Sequence, residues 1–374
     1  MMNFLRPVAF FRLFGLLLLF SACAQPESEY YALEDFEGLK KIDAHVHLRK
    51  DADTVFIQQA IADNFYLLTI GIDPGGSAGI EEQEDFALRM MERFPGRLTF
   101  ASAFTVSNWN EENWQEETLR HLQQSIDKGA LGIKVWKNIG MTLKDKDDKF
   151  VLIDHPKFDT VLDFLAKKHI PIIAHLGEHR NSWLPLEEMT VKGNRDYARD
   201  HPQYHMYLHP EYPSYWRHIE AKSQMLKKHP DLVFIGAHLA QLEWSVDELA
   251  KRLDSFPNMA VDLAERISHL QYQTLTQRDK VRDFFIKYQD RLIYATDLRA
   301  SASDIVQANL TTPEEVKNHT HNVWFRHWKF LVTDETMQVP KVSGEFQGLK
   351  LPRKVVDKIY WDNARKWIPG IVKE

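Results

Sequence analysis

The sequence predicts an α/β chain folded as a (β/α)8 TIM barrel with a long insertion after the fifth strand. Three observations predict it. Strand-like and helix-like runs alternate from about Leu39 to the C-terminus, and that alternation implies parallel strands joined by crossover helices. The strand-like runs number eight, the count that closes a barrel. Five polar residues, His45, His47, His175, His238 and Asp297, sit near the C-terminal ends of these runs, where a barrel carries its chemistry. A doubly wound open sheet is the alternative, but it would gather chemistry at one switch point rather than around a ring of strands.

In chain order the strand-like runs are Lys41–Leu48, Phe65–Ile72, Leu98–Val106, Leu131–Trp136, Ile170–Leu176, Leu232–Leu239, Met259–Leu263 and Leu292–Leu298. Each is a short apolar run of the kind a buried parallel strand requires. Between them lie amphipathic stretches such as Glu112–Lys128, Phe158–Lys168, Tyr215–Lys228, Ser245–Leu253 and Asp279–Gln289. After the fifth run the connection from Glu178 to Pro213 is long and rich in aromatic residues and histidine. Barrel enzymes choose substrates with such loops, so Trp183, His205 and Tyr207 are expected to line a pocket. A self-packed excursion with buried aromatics is the competing reading. His169 and His229 precede strands and belong to the opposite end of the barrel.

The N-terminus reads as an export signal over residues 1–22. Arg6 and Arg12 flank the start of an apolar stretch that ends at Phe20, followed by Ser21, Ala22 and Cys23. The stretch is too short to span a bilayer comfortably. Phe20-Ser21-Ala22-Cys23 resembles a bacterial lipobox, which would make Cys23 the acylated N-terminus of a lipoprotein held at the cell envelope. An ordinary cleaved signal peptide is the alternative. Cys23 is the only cysteine, so disulfides and a cysteine nucleophile in the folded domain are excluded. Residues 23–38 read as an acidic tether, and residues 39–374 as the barrel. Losing Arg6 and Arg12 moves the formal charge from −6 to about −8, which gives no basic face for nucleic acid.

The strand-end residues suit a metal. Side chains alternate along a strand, so His45 and His47 project to one side, two residues apart, and two imidazoles so placed grip one cation without strain. Histidine with carboxylate favours zinc or a similar divalent ion over calcium. One histidine beside an apolar strand is commonly a hydrogen-bonded core residue, and Asp297 alone could be a cap. The ordered set of His-x-His, His, His and Asp is what points to a site.

That set resembles the amidohydrolase superfamily, in particular its amidohydrolase-related (type 2) group of metal-dependent hydrolases and decarboxylases. The resemblance runs from about Leu39 to the closing Ile359-Tyr360-Trp361-Asp362-Asn363-Ala364-Arg365. It implies that His45, His47, His175 and Asp297 ligate one metal, most simply zinc. His238 is then a ligand of a second metal or a catalytic group that polarises the substrate carbonyl. Water activated by the metal would attack a C–N or C–O bond of an amide, ester or lactone, with Asp297 moving its proton. Nonoxidative decarboxylation on the same scaffold is the alternative. Lys134 in Gly132-Ile133-Lys134-Val135-Trp136 falls on the fourth strand, where binuclear relatives carry a carboxylated lysine bridging two metals. It is expected either to play that part or to anchor an anionic substrate, with Trp136 beside it in the pocket.

Two further readings come from outside this scheme. Gly75-Gly76-Ser77-Ala78-Gly79 fits the G-x-S-x-G elbow of serine hydrolases, with Ser77 as nucleophile, but a Pro-Gly-Gly stretch is also an ordinary turn. The serine reading would leave the five strand-end residues without a purpose. A ligand-binding lipoprotein on an inactive barrel would be expected to have lost at least one of them.

Overall fold

In the computed structural model, residues 28–49, 54–299, 310 and 312–372 are described. Nine parallel strands form one sheet, in the order β8-β7-β6-β5-β4-β3-β2-β1-β9. They are β1 Lys41–His47, β2 Phe65–Ile70, β3 Leu98–Ala103, β4 Ile133–Val135, β5 Ile172–Ala174, β6 Phe234–Gly236, β7 Met259–Asp262, β8 Leu292–Ile293 and β9 Leu298–Arg299. The last expected strand is therefore split into β8 and β9. Both parts return to β1: Ala44 N–H donates to Tyr294 O at 3.1 Å, Asp297 N–H to His45 O at 2.8 Å, and Val46 pairs with Leu298. The sheet closes on itself, and the (β/α)8 barrel is the fold.

Side-chain alternation separates two layers. Ile42, Ala44, Leu68, Ile70, Ala101, Ile173, Ile235, Ala260 and Ile293 fill the barrel's interior, where Ala364, Trp367 and Ile368 of the closing segment join them. Phe65, Leu67, Leu98, Ile133, Val135, Ile172, Phe234, Val261 and Leu292 pack outward among the helices. By this alternation Lys134, between Ile133 and Val135, belongs to the interior. In β1 the pattern changes phase. Ile42 and Ala44 are interior, yet Val46 is in the outer cluster, and the register with β2 shifts between Asp43 and Val46. A bulge there turns His45 and His47 inward while Lys41 and Asp43 remain outward, which is how bulges commonly re-aim side chains beside active sites.

The insertion after β5 holds short 3-10 turns and the helix Lys192–Asp200 before the helix Tyr215–Lys228 begins. The expected stretch Asp279–Gln289 is the second half of a longer helix, Ile267–Lys287, interrupted at Gln277 (φ −145°). An antiparallel hairpin, Thr336–Val339 with Val342–Gln347, packs against that helix. The expected boundary at Leu39 needs correction. From Ser28 onward the acidic stretch is docked: Phe36 is 2% exposed, Tyr31 Oη donates to Asp357 at 2.5 Å, and Arg353 N–H donates to Glu29 O at 2.8 Å. Aromatic residues in a polar segment found apolar partners in Phe65, Phe325 and Trp328. Cys23 and the signal segment lie outside the described residues. Among the described residues, no helix is long and apolar enough to cross a membrane.

Candidate active site

His45, His47 and Asp297 converge. Each offers one ligand atom, and these atoms all lie within 4.8 Å of one another. Asp297 Oδ1 is 3.0 Å from His47 Nε2 and 3.6 Å from His45 Nε2. A tetrahedron built with zinc–ligand bonds of about 2.0–2.1 Å has edges of roughly 3.3 Å, close to both separations. Asp297 reaches this position with φ 65°, in the break between β8 and β9. Asp43, on the outer side of β1, holds that break. Its Oδ1 accepts from Thr296 N–H at 3.0 Å, and its Oδ2 accepts from Thr296 Oγ1 at 2.6 Å and from Trp324 Nε1 at 2.9 Å.

The opposite nitrogen of each ring is engaged. His45 Nδ1 is 2.8 Å from Asp262 Oδ2, His47 Nδ1 is 2.7 Å from Ile70 O, and His238 Nδ1 is 3.0 Å from Ala264 O. Carbonyl and carboxylate oxygens only accept, so each Nδ1 carries a proton and each Nε2 faces the site; burial keeps His47 and His238 neutral, so theirs is a lone pair. Metal-ligating histidines are commonly oriented in this way. The consequence is sharpest at His47. Burial lowers its pKa to about 4, so the ring is neutral at pH 7 and has a single N–H for two facing acceptors, Ile70 O and Asp297 Oδ1. A divalent cation between His47 and Asp297, or a proton held there, relieves the second contact. The residues present fit a divalent metal.

His175 does not belong to the convergent set. Its ring instead packs edge-on against His238, with centroids 4.3 Å apart, and its buried Nε2 has no hydrogen-bond partner. Of the four residues expected around one point, three converge here, and His175 forms a neighbouring pair with His238. His238 is 5.1 Å from His45, ring to ring. Lys134 Nζ lies 3.1 Å from His45 Nε2, and burial lowers the lysine to about 8 against the pull of Asp297 and Asp262.

A model of the amidohydrolase family matches residues 100–369. The chain belongs to the amidohydrolase family. The match includes Lys134, His175, His238, Asp262 and Asp297, whereas His45 and His47 precede it. No curated protein matches the sequence. Solved structures similar to this amidohydrolase include 4-oxalomesaconate hydratase from Rhodopseudomonas palustris, at 11% identity and a TM-score of 0.46, covering 88% of this chain and 95% of that one. Another is an amidohydrolase from Mycobacterium avium subsp. paratuberculosis, at 15% identity and a TM-score of 0.36, covering 84% and 72%. Ochratoxinase from A. niger is similar at 12% identity and a TM-score of 0.28, covering 78% and 62%.

His238 opens an unusual turn of this amidohydrolase. His238, Leu239, Ala240 and Gln241 all have φ between 55° and 59°, one turn of left-handed helix, which is why the strand expected to reach Leu239 ends at Gly236. For residues with a Cβ this costs roughly 1–2 kcal/mol each, and such strain persists only where surroundings enforce it. Asp262 Oδ1 accepts the His238 N–H at 2.7 Å, Tyr215 Oη donates to Gln241 O at 2.5 Å, and buried Lys222 donates to Ala240 O and to Gln241 Oε1. Gly236 is required beneath the turn, because a Cβ there would meet Ala240 Cβ at 2.5 Å.

Other expected residues fall elsewhere. Trp136 is half-buried just beyond β4. Trp183 packs on Tyr215 and His218, while His205 Nε2 is 2.7 Å from Leu184 O and its ring stacks on Tyr207, which is 53% exposed. His205 and Tyr207 thus pack within the insertion, whereas Trp183 packs on the helix that follows it. Ser77 is an exposed residue opening the helix Ser77–Arg93, and Asp73 Oδ1 caps the preceding glycines at 3.0 and 3.2 Å, so the Gly-rich stretch is a turn. His229 faces Asp159 and Asp163 at the far end of the barrel. Asp262 was not singled out by sequence reasoning. An acidic residue closing an apolar run, Met259–Asp262, was the available signal.

Proposed function

We propose that this amidohydrolase is a metal-dependent hydrolase acting on a C–N or C–O bond, in an amide, ester or lactone of a small polar substrate. What carries the reading is the facing pair His47 Nε2 and Asp297 Oδ1, two acceptors 3.0 Å apart in a buried site. His45, His47 and Asp297 would hold one divalent cation, and their imidazole and carboxylate donors suit zinc. His175 and His238 would hold a second if Lys134 is carboxylated between this group of three and that pair. A bound cation would supply Lewis acidity and lower the pKa of water towards ~7. The Asp297 carboxylate would take up the proton released at the site and return it to the leaving group. His238, held by Asp262 at its backbone N–H and by Ala264 at Nδ1, would accept a proton at Nε2 and, once protonated, donate towards the substrate carbonyl. Carboxylation needs a neutral amine, which the burial of Lys134 favours; as an ammonium, Lys134 would anchor an anionic group instead.

That second state of Lys134 favours a second reading, nonoxidative decarboxylation of an aromatic or conjugated acid held by its carboxylate. Metal analysis with a substrate panel tests both. Zinc or manganese bound by the wild type and lost with His45→Ala, together with turnover of amides, esters or lactones, is the expected result. Release of CO2 from acids would select the decarboxylase. Metal-free turnover abolished by Ser77→Ala would sink the metal reading. Metal binding without turnover of any substrate would leave a binding protein. We further propose, from the sequence features at Cys23, that the enzyme is lipid-anchored at the bacterial cell envelope.

A further inference from the structure

The mouth of the barrel between β5 and β7 holds a second group of polar side chains that the proposed ligands do not use. His179 lies four residues beyond His175, Glu243 five beyond His238, and Arg266 and His269 four and seven beyond Asp262. All are buried: Glu243 is 1%, His269 2%, Arg266 7% and His179 9% exposed. Glu243 Oε1 accepts from Arg180 N–H at 2.9 Å, but its Oε2 has no partner. Arg266 Nε and both ring nitrogens of His269 have none either. An unmade hydrogen bond on a buried polar group costs about 1–3 kcal/mol, and such groups are scarce in folded proteins. Four such atoms on two neighbouring segments, those after β6 and β7, point to a ligand.

The charges specify its chemistry. Burial, reinforced by the Arg266 charge, holds the His179 and His269 imidazoles well below their usual range, so both are neutral. Their rings are 6.2 Å apart. The Arg266 guanidinium supplies positive charge here; it acts on Glu243, whose carboxyl burial raises and Arg266 lowers, and also on His175 and His238. A guanidinium Nε–H and a neutral imidazole N–H both donate, and a carboxylate accepts from both. Glu243 Oε2 needs a donor.

We infer that this cluster is a recognition subsite for an organic acid, its carboxylate on Arg266 and His269 and an adjacent N–H or O–H on Glu243. The inference rests on the mouth of the barrel being the active site, as proposed above. N-acyl amino acids have this pattern of groups. Arg266 Nη1 donates to Glu265 O at 3.3 Å, so a ligand without an anionic acceptor would leave Arg266 Nε and the His269 ring N–H unmatched, and sites built for hydrogen bonding reject analogues that cannot make the bonds.

Isothermal titration of the full chain with N-acetyl-L-alanine, N-acetyl-L-alaninamide and propionate tests it, before and after metal removal by chelator. The wild type is expected to bind the acid at least about tenfold more tightly than the amide, the scale of a charge-assisted pair. Arg266→Gln should lose that preference at unchanged metal content, and Glu243→Gln should lose the preference over propionate. Equal binding of acid and amide, undiminished acid binding by Arg266→Gln, or no binding of the acid would overturn the inference. Should Arg266→Gln fail to fold by circular dichroism, the wild-type comparison of acid with amide decides alone. A chain that binds no metal but keeps the preference for the acid would defeat the hydrolase reading and uphold the subsite.

Discussion

Asp262 Oδ2 faces His45 Nδ1 at 2.8 Å, and the other oxygen of the same carboxylate accepts the His238 backbone N–H. One side chain at the end of β7 thus sets the tautomer of a ring on β1 and anchors the first residue of the strained turn after β6. Burial raises the Asp262 pKa, but its interaction and hydrogen bond with His45 outweigh this and keep the group below the ordinary carboxylate value. Asp262→Ala removes both contacts. Zinc affinity, measured by competition with a chromophoric chelator, should fall by about 10–100-fold, the usual cost of losing such a supporting partner. Unchanged affinity would mean that His45 is oriented by something else.

Asp297→Asn separates stability from function. Its amide can present an N–H to His47 Nε2 where the carboxylate presents a lone pair. The metal-free variant should therefore be more stable than the metal-free wild type, by about 1–3 kcal/mol. Urea denaturation in the presence of chelator measures this. Metal binding and turnover should both drop in the same variant. A destabilised apoprotein would show that the His47–Asp297 contact is favourable without a cation.

Lys134→Ala distinguishes the two states of the lysine. If it is carboxylated, metal content should fall from two ions towards one per chain, and bicarbonate should aid reconstitution of the wild type. If it is a free ammonium, metal content should hold while substrate affinity weakens. A wild-type site saturated by one ion would defeat the binuclear version.

Lys41 provides a pH dependence remote from the site. It is fully buried, donates to Phe36 O and Leu39 O, and lies 4.4 Å from the Phe36 ring centroid. Burial lowers its folded-state pKa to about 7, against about 10.4 in an unfolded chain. Between those values the unfolded state binds more protons, so stability rises with pH. The burial cost is fully present below about pH 7 and is relieved towards pH 10. The stability of the wild type relative to Lys41→Met should therefore increase from pH 7 to 9, by at most about 1.4 kcal/mol per unit. Parallel curves for the two proteins would refute it.

Cys23 is tested in the producing bacterium. Globomycin, or Cys23→Ser, should leave an unprocessed or unlipidated precursor if the lipobox reading holds. Normal maturation to a soluble protein in both cases would show an ordinary signal peptide.

The strand-end residues were legible because a buried parallel strand leaves a local trace, and polar residues interrupting it stand out. The pocket expectations for His205 and Tyr207 came from composition alone. Composition does not tell a loop that lines a cavity from one whose rings pack on each other, as these two do. His179, Glu243, Arg266 and His269 carry no pattern in the sequence. What marks Glu243, Arg266 and His269 is a buried polar atom without a partner, which only the tertiary structure reveals.

The sequence by itself determined the alternation of strands and helices, the inward pairing of His45 with His47 and the place of Asp297 near the end of the last strand. These follow from side-chain periodicity, which acts over a few residues. The tertiary structure alone decided the bulge that turns β1, the left-handed turn at His238 and the separation of His175 from the three convergent residues. It also decided the bond between His45 and Asp262, which are 217 residues apart. Such features are set where distant segments compete for the same space and the same hydrogen-bond partners, so no local stretch of sequence encodes them.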